Sequence, residues 1–354
     1  LKHTANKCKP FLTKPLVEIL WKAEMETYAI RTNQLTRNFE TVCAVDHLDM
    51  EVPAGIVFGF LGPNGSGKTT TIRLLLGLLE PSQGTAEVLG LNLRSQAQEI
   101  RQRSGALLEY NGIYERLSAQ DNLEFYGQVW RIPAGERRRR IKELLQHLDL
   151  WERRNELAGN WSRGMKQKLA IARALLHHPQ LIFLDEPTAG LDPVAAAALR
   201  SDLATLANRE GITVFLTTHN LAEAEKLCQL VEVVRNGRLL ALGSPEQLRS
   251  QAGKPRLEVR GSGFTPTVLQ ELRARPEVSE LVQRDGLLLI GLNQSAETAP
   301  LVSLLVRSGA QIDEVRKGQA DLEETFLSLV KDTSLTENSG PIAMRGESSN
   351  LALR

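Results

Sequence analysis

The sequence predicts an α/β protein with a mainly parallel sheet, followed by a small α+β domain. Three observations predict this. Apolar runs at Ile56–Leu61, Leu181–Leu184 and Thr213–Leu216 are short and apolar on both faces, as in strands covered on both sides. Helical stretches follow them, the alternation that builds parallel sheets. Near Gly253-Lys254-Pro255 the alternation breaks, and residues 256–331 read as strand, helix, strand, strand, helix, strand, helix.

Taken in order, residues 1–24 lack the basic, apolar and small-residue regions of a signal peptide. The chain opens on Leu1, so Met25 is the expected start and residues 1–24 an expected non-native or disordered extension. The main domain is expected over 25–250. Within it, at about 110–175, the strands disappear. Asn122–Trp130, Arg138–Leu150 and Lys166–Leu176 carry apolar residues at helical spacing, which predicts a helical insertion. The run Arg137–Arg140 at the start of the second helix reads as a solvated face. A small α+β domain is expected over 254–331, with a hairpin turn at Asp285-Gly286. Residues 332–354, rich in Ser, Glu, Asn and Gly, are an expected disordered tail.

At 354 residues the chain exceeds what one hydrophobic core usually serves. Its formal net charge of +1 creates no field that would recruit nucleic acid, and no nucleic-acid partner is expected. Cys8, Cys43 and Cys228 are too scattered for a zinc site or a disulfide framework. No stretch reaches the roughly 18 apolar residues of a membrane helix. Any membrane role must come through a partner.

The chemistry begins at Gly62-Pro63-Asn64-Gly65-Ser66-Gly67-Lys68-Thr69-Thr70, between a predicted strand and a predicted helix. Glycines there let backbone N–H groups converge on phosphate oxygens, and the helix N-terminus adds its positive end. Lys68 supplies a full charge to the β/γ-phosphates of a nucleotide, and the Thr69 hydroxyl is placed to ligate Mg²⁺. Asp185 and Glu186 follow the second buried run. Ligands sit outside the carboxyl ends of parallel strands, so Asp185 is a candidate for the metal and Glu186 for activating water. His219 ends the third run, where a donor can hold the γ-phosphate.

At this point residues 28–245 resemble the ATP-binding-cassette (ABC) ATPase family. Asn160-Trp-Ser162-Arg-Gly164-Met-Lys-Gln lies where that family carries its signature, with Ser162 placed 23 residues before Asp185. Ala189-Gly-Leu-Asp192-Pro193 is similar to its D-loop. The resemblance implies a P-loop NTPase of ABC type: a RecA-like mainly parallel sheet, an antiparallel β part and a helical subdomain. It also implies that two nucleotide-binding subunits sandwich two ATPs, Ser162, Gly164 and Asp192 of one facing the phosphate loop of the other. Phe39 stands where the family keeps an aromatic against adenine.

The signature reads Trp-Ser-Arg-Gly-Met where the family norm is Leu-Ser-Gly-Gly-Gln, and Glu109 takes the place of the Q-loop glutamine as a candidate Mg²⁺ ligand. Both variants, and the C-terminal domain, resemble export-type subfamilies whose permease is a separate integral-membrane protein. The expected role is therefore an ATPase motor at the cytoplasmic face of the cell membrane, held there by the permease. A soluble ABC protein of translation or DNA repair is the alternative. One cassette, no heptad arm and no Cys-x-x-Cys pair speak against it.

Overall fold

Tyr28–Phe39, which buries Ala29, Ile30 and Leu35, makes the first strand, β1, which folds back on β2 (Val42–Leu48) and also pairs with β3 (Glu51–Pro53). The computed structural model describes residues 28–252, 256–293 and 297–318. The expectations for residues 1–24, for the last helix of the 256–331 stretch and for the tail at 332–354 lie outside them. After β4 (Val57–Leu61) come α1 (Lys68–Leu75), β5 (Gln83–Val88), β6 (Leu91–Asn92), α2 (Ala97–Arg103) and β7 (Ser104–Leu107). Strands β2-β1-β5-β6, with β3 against β1, form an antiparallel sheet.

No strand is assigned among residues 108–180. Three helices fill that stretch: α3 (Ala119–Val129), α4 (Ala134–His147) and α5 (Arg163–Leu175). Side chains at the N-caps set two of their starts: Ser118 Oγ accepts from Asp121 N–H and Ser162 Oγ from Met165 N–H. The Arg137–Arg140 run is not a solvated face throughout. Arg140 is buried and forks onto Glu210 at 2.8 and 2.7 Å, and Arg137 is half-buried against Glu124. These carboxylates, one of them 70 residues away, compensate the desolvated guanidinium groups.

Then follow β8 (Leu181–Asp185), α6 (Pro193–Glu210), β9 (Thr213–Thr218), α7 (Leu221–Leu227), β10 (Leu230–Arg235), β11 (Arg238–Gly243) and α8 (Pro245–Ala252). The main sheet has the order β11-β10-β4-β9-β8-β7 and is parallel except at β11. Every residue of β4, β8 and β9 is buried, which is why these runs are apolar on both faces. Phe58, Phe60 and Phe183 surround Phe215 at centroid distances of 5.4–5.5 Å. Each such burial contributes about 1.5–3 kcal/mol. The order β4-β9-β8 sets the carboxyl ends of these three strands side by side.

The chain divides into two units, at Ser250 and Gln251. The second contains β12 (Arg256–Ser262), α9 (Pro266–Arg273), β13 (Val278–Arg284), β14 (Leu287–Leu292), α10 (Ala299–Arg307) and β15 (Gln311–Gly318). Its antiparallel sheet runs β13-β14-β12-β15, the split βαβ arrangement, over a core of Leu257, Val259, Leu272, Leu288, Ile290 and Leu305. Asp285 and Gly286 both have positive φ (27° and 77°) and close the β13–β14 hairpin, as that turn type demands.

Candidate active site

The loop 62–67 joins β4 to α1. Gly65 and Gly67 have φ of 81° and 98°, and a Cβ on Gly67 would meet the carbonyl oxygen of Ala44 at 2.2 Å. Only glycine fits there. Among the described residues, the backbone N–H groups of Gly65, Gly67, Lys68, Thr69 and Thr70 donate to no protein acceptor. Ser66 Oγ, buried, also has no partner there. This concave set of free donors at a helix N-terminus fits a polyphosphate. Lys68 is 6% exposed; its Nζ donates to Gly62 O (2.9 Å) and Pro63 O (3.2 Å) and lies 3.2 Å from Glu186 Oε1.

Asp185 ends β8 inside the sheet. Its Oδ2 accepts from Thr69 Oγ1 at 2.6 Å and its Oδ1 from Thr217 Oγ1 at 2.5 Å. A hydroxyl and a carboxylate oxygen side by side are hard donors of the kind Mg²⁺ takes. Glu186 has φ 48°, and its N–H donates to both Thr217 O and Thr217 Oγ1 at 3.1 Å. Its Oε2 is 2.5 Å from His219 Nδ1. The loop, the two carboxylates and His219 therefore form one cluster.

Thr217 was missed by sequence reasoning. Its place two residues before His219, on a strand paired with β8, was the available signal: Thr217 and Asp185 are direct partners in the register.

Phe39 stands at the tip of the β1–β2 hairpin, paired with Val42; its ring is exposed and carries the Arg37 guanidinium at 4.6 Å. It is not a core residue. Further along the same hairpin, Ala44 faces Gly67. Glu109 is 60% exposed and pairs with Arg73 at 3.2 Å; among the described residues no bond joins it to Thr69 or Asp185.

Ser162, Gly164 and Asp192 form a second group. Ser162 caps α5 and Asp192 caps α6, accepting from Val194 and Ala195 N–H at 3.0 and 2.9 Å. A Cβ on Gly164 would stand 3.1 Å from that of Ala195. Among the described residues, no hydrogen bond or ion pair joins these three to residues 62–70. Tyr110, Tyr114 and Phe125 are exposed, with Tyr114 and Phe125 edge to face at 5.2 Å. Among the described residues no helix is long and apolar enough to cross a membrane.

Comparison with known proteins agrees with this arrangement. Residues 45–189 match the family model described as ABC transporter. The chain is 35% identical to the bacitracin transport ATP-binding protein BcrA of Bacillus licheniformis, over 85% of this chain and 97% of that one. It is 34% identical to the daunorubicin/doxorubicin resistance ATP-binding protein DrrA of Streptomyces peucetius, covering 86% and 92%. The structure of cbiO1 from Clostridium perfringens, part of the ABC transporter complex cbiONQ, superposes with a TM-score of 0.60 at 26% identity. The overlap covers 64% of this chain and 92% of that one. The α/β fold, the phosphate-loop cluster and this relatedness lead to one conclusion: the chain belongs to the ABC transporter family, as an ATP-binding subunit whose ATPase activity powers transport.

Proposed function

We propose that the chain works as a homodimer that hydrolyses ATP to drive export through a separate permease, at the cytoplasmic face of the cell membrane. The observation that carries the reading is Glu186, whose two carboxylate oxygens lie against Lys68 and His219 beside the Thr69–Asp185 pair. In this reading the free N–H groups of Gly65 and residues 67–70, with the Lys68 ammonium, bind the phosphates, and the Phe39 ring stacks on adenine. Thr69 and Asp185 hold Mg²⁺, which when bound neutralises charge on the phosphate oxygens. Glu186 takes the proton of the attacking water, and His219 holds the carboxylate in place while offering its other ring nitrogen to phosphate. Glu109, paired with Arg73, would add a charged oxygen to the metal.

Among the described residues the Ser162 and Asp192 side chains bond only as helix caps and Gly164 packs near Ala195, which supports their acting across a dimer on the partner's nucleotide. The exposed aromatic residues Tyr110, Tyr114 and Phe125 supply an apolar surface for the permease. Relatives named for bacitracin transport and for daunorubicin/doxorubicin resistance support export as the direction.

The test compares two variants. Glu186→Gln should keep ATP binding and nearly abolish turnover, whereas Lys68→Ala should lose ATP affinity. Hydrolysis by Glu186→Gln at the parent rate overturns the assignment. For the dimer, specific activity should rise with protein concentration; activity that is unchanged down to clear monomer overturns the sandwich.

A further inference from the structure

Glu223 is a carboxylate that the reaction itself does not use. It lies in the first turn of α7 and is 2% exposed. Three side chains from three segments converge on it. Thr188 Oγ1 donates to its Oε2 at 2.6 Å, Thr218 Oγ1 donates to the same oxygen at 3.2 Å, and Arg200 Nη1 approaches Oε1 at 3.4 Å. Its own N–H is held by Asn220 Oδ1 at 3.2 Å. A carboxylate buried this deeply needs compensation, and these donors provide it.

The positions of the donors matter more than their number. Thr188 stands two residues after Glu186, and Thr218 immediately precedes His219. Arg200 lies on α6, the helix that Asp192 caps. Glu186 itself sits in the left-handed region, and the chain turns directly after it, with Ala189 N–H donating to Glu186 O at 3.0 Å. An anchor at Thr188 keeps that turn from relaxing, and the same carboxylate pins the strand end that carries His219.

We infer that Glu223 is a positioning residue: it ties Thr188 to Thr218 and so fixes how far Glu186 stands from His219. The inference rests on the reading above, in which Glu186 activates water with the help of His219. The charge is essential to it. Hydrogen bonds to an ionised acceptor are about twice as strong as neutral ones. A glutamine would turn amide donors toward either the threonines or Arg200.

The experiment measures steady-state ATPase kinetics of the full chain with Glu223→Gln, Thr188→Val and Thr188→Ser. Glu223→Gln and Thr188→Val should each lower kcat on the order of tenfold, since small misplacements of reacting groups are costly in rate. KM for ATP should stay within about twofold, because the phosphate loop is untouched. Thr188→Ser keeps the donor and should keep the parent rate. The double variant Glu223→Gln/Thr188→Val, measured alongside, should be no slower than Glu223→Gln alone. A parent-like kcat for Glu223→Gln or Thr188→Val overturns the inference, as does a joint decline of kcat and ATP affinity that follows melting temperature. If Glu223→Gln does not fold, the contrast between valine and serine at Thr188 decides. Glu186→Gln run alongside separates the two readings. Turnover retained there sinks the assignment of Glu186, whereas an inactive Glu186→Gln beside a parent-like Glu223→Gln sinks only the role of Glu223.

Discussion

His219 and Glu186 share a hydrogen bond, Nδ1 to Oε2 at 2.5 Å, although 33 residues separate them along the chain. Their strands β9 and β8 are parallel neighbours, so both side chains leave the sheet at the same edge. With Lys68 3.2 Å from the other oxygen, the Glu186 carboxylate is fixed from two sides.

Removing one of those sides should slow chemistry without weakening binding. His219→Ala is expected to lower kcat by about 10²-fold, the scale of an assisted proton transfer. ATP affinity should be retained. His219→Gln, which can still donate to Glu186, should lose less. Equal single-turnover rates for the parent and the alanine variant would remove His219 from the site.

Thr217 braces Asp185 at its carboxylate and Glu186 at its backbone, donating to Asp185 Oδ1 and accepting from Glu186 N–H. Thr217→Val keeps the shape but leaves a buried carboxylate oxygen without that donor. It should destabilise the protein by about 1–3 kcal/mol in denaturant unfolding. It should also raise the Mg²⁺ concentration needed for half-maximal activity. Thr217→Ser should restore both, and a serine variant that behaved like valine would contradict this account.

The Arg73–Glu109 ion pair gives the Mg²⁺ question a sharper form. A glutamate offers the cation a charged oxygen where glutamine offers a neutral one. ATPase rate should therefore depend more steeply on Mg²⁺ in the parent than in Glu109→Gln. Arg73→Ala releases the carboxylate and should steepen that dependence beyond the parent's. Superimposable titrations of the three proteins would exclude Glu109 from the metal.

Glu232, in the middle of β10, is fully buried with neither carboxylate oxygen hydrogen-bonded among the described residues, and this burial raises its pKa well above the usual carboxylate value. The folded protein thus keeps a proton that the unfolded chain releases. Stability is fullest below the ordinary glutamate pKa and declines as pH rises toward the elevated one. Glu232→Leu should flatten that decline and raise stability at neutral pH by roughly 1–3 kcal/mol. Melting curves from pH 5 to 8 that are parallel in the two proteins would refute it.

What the sequence determined by itself was whatever contiguous residues encode. Gly62 to Thr70 carry their own spacing. Asp185-Glu186 and His219 follow apolar runs whose burial on both faces already implies a parallel sheet, and with it a shared edge. The Asp285-Gly286 turn was legible for the same reason, since its backbone angles belong to those two residues. Tertiary structure alone decided which charges meet. Arg140 reads as one of four solvated arginines until Glu210 arrives from 70 residues away. Glu109 lies in a loop with no hint of Arg73, and Thr217 and Glu223 look like an ordinary strand residue and an ordinary helix residue. A polar side chain carries no periodicity that names its partner. Its role is set by long-range packing, which determines whether it is desolvated and which donor stands within about 3 Å.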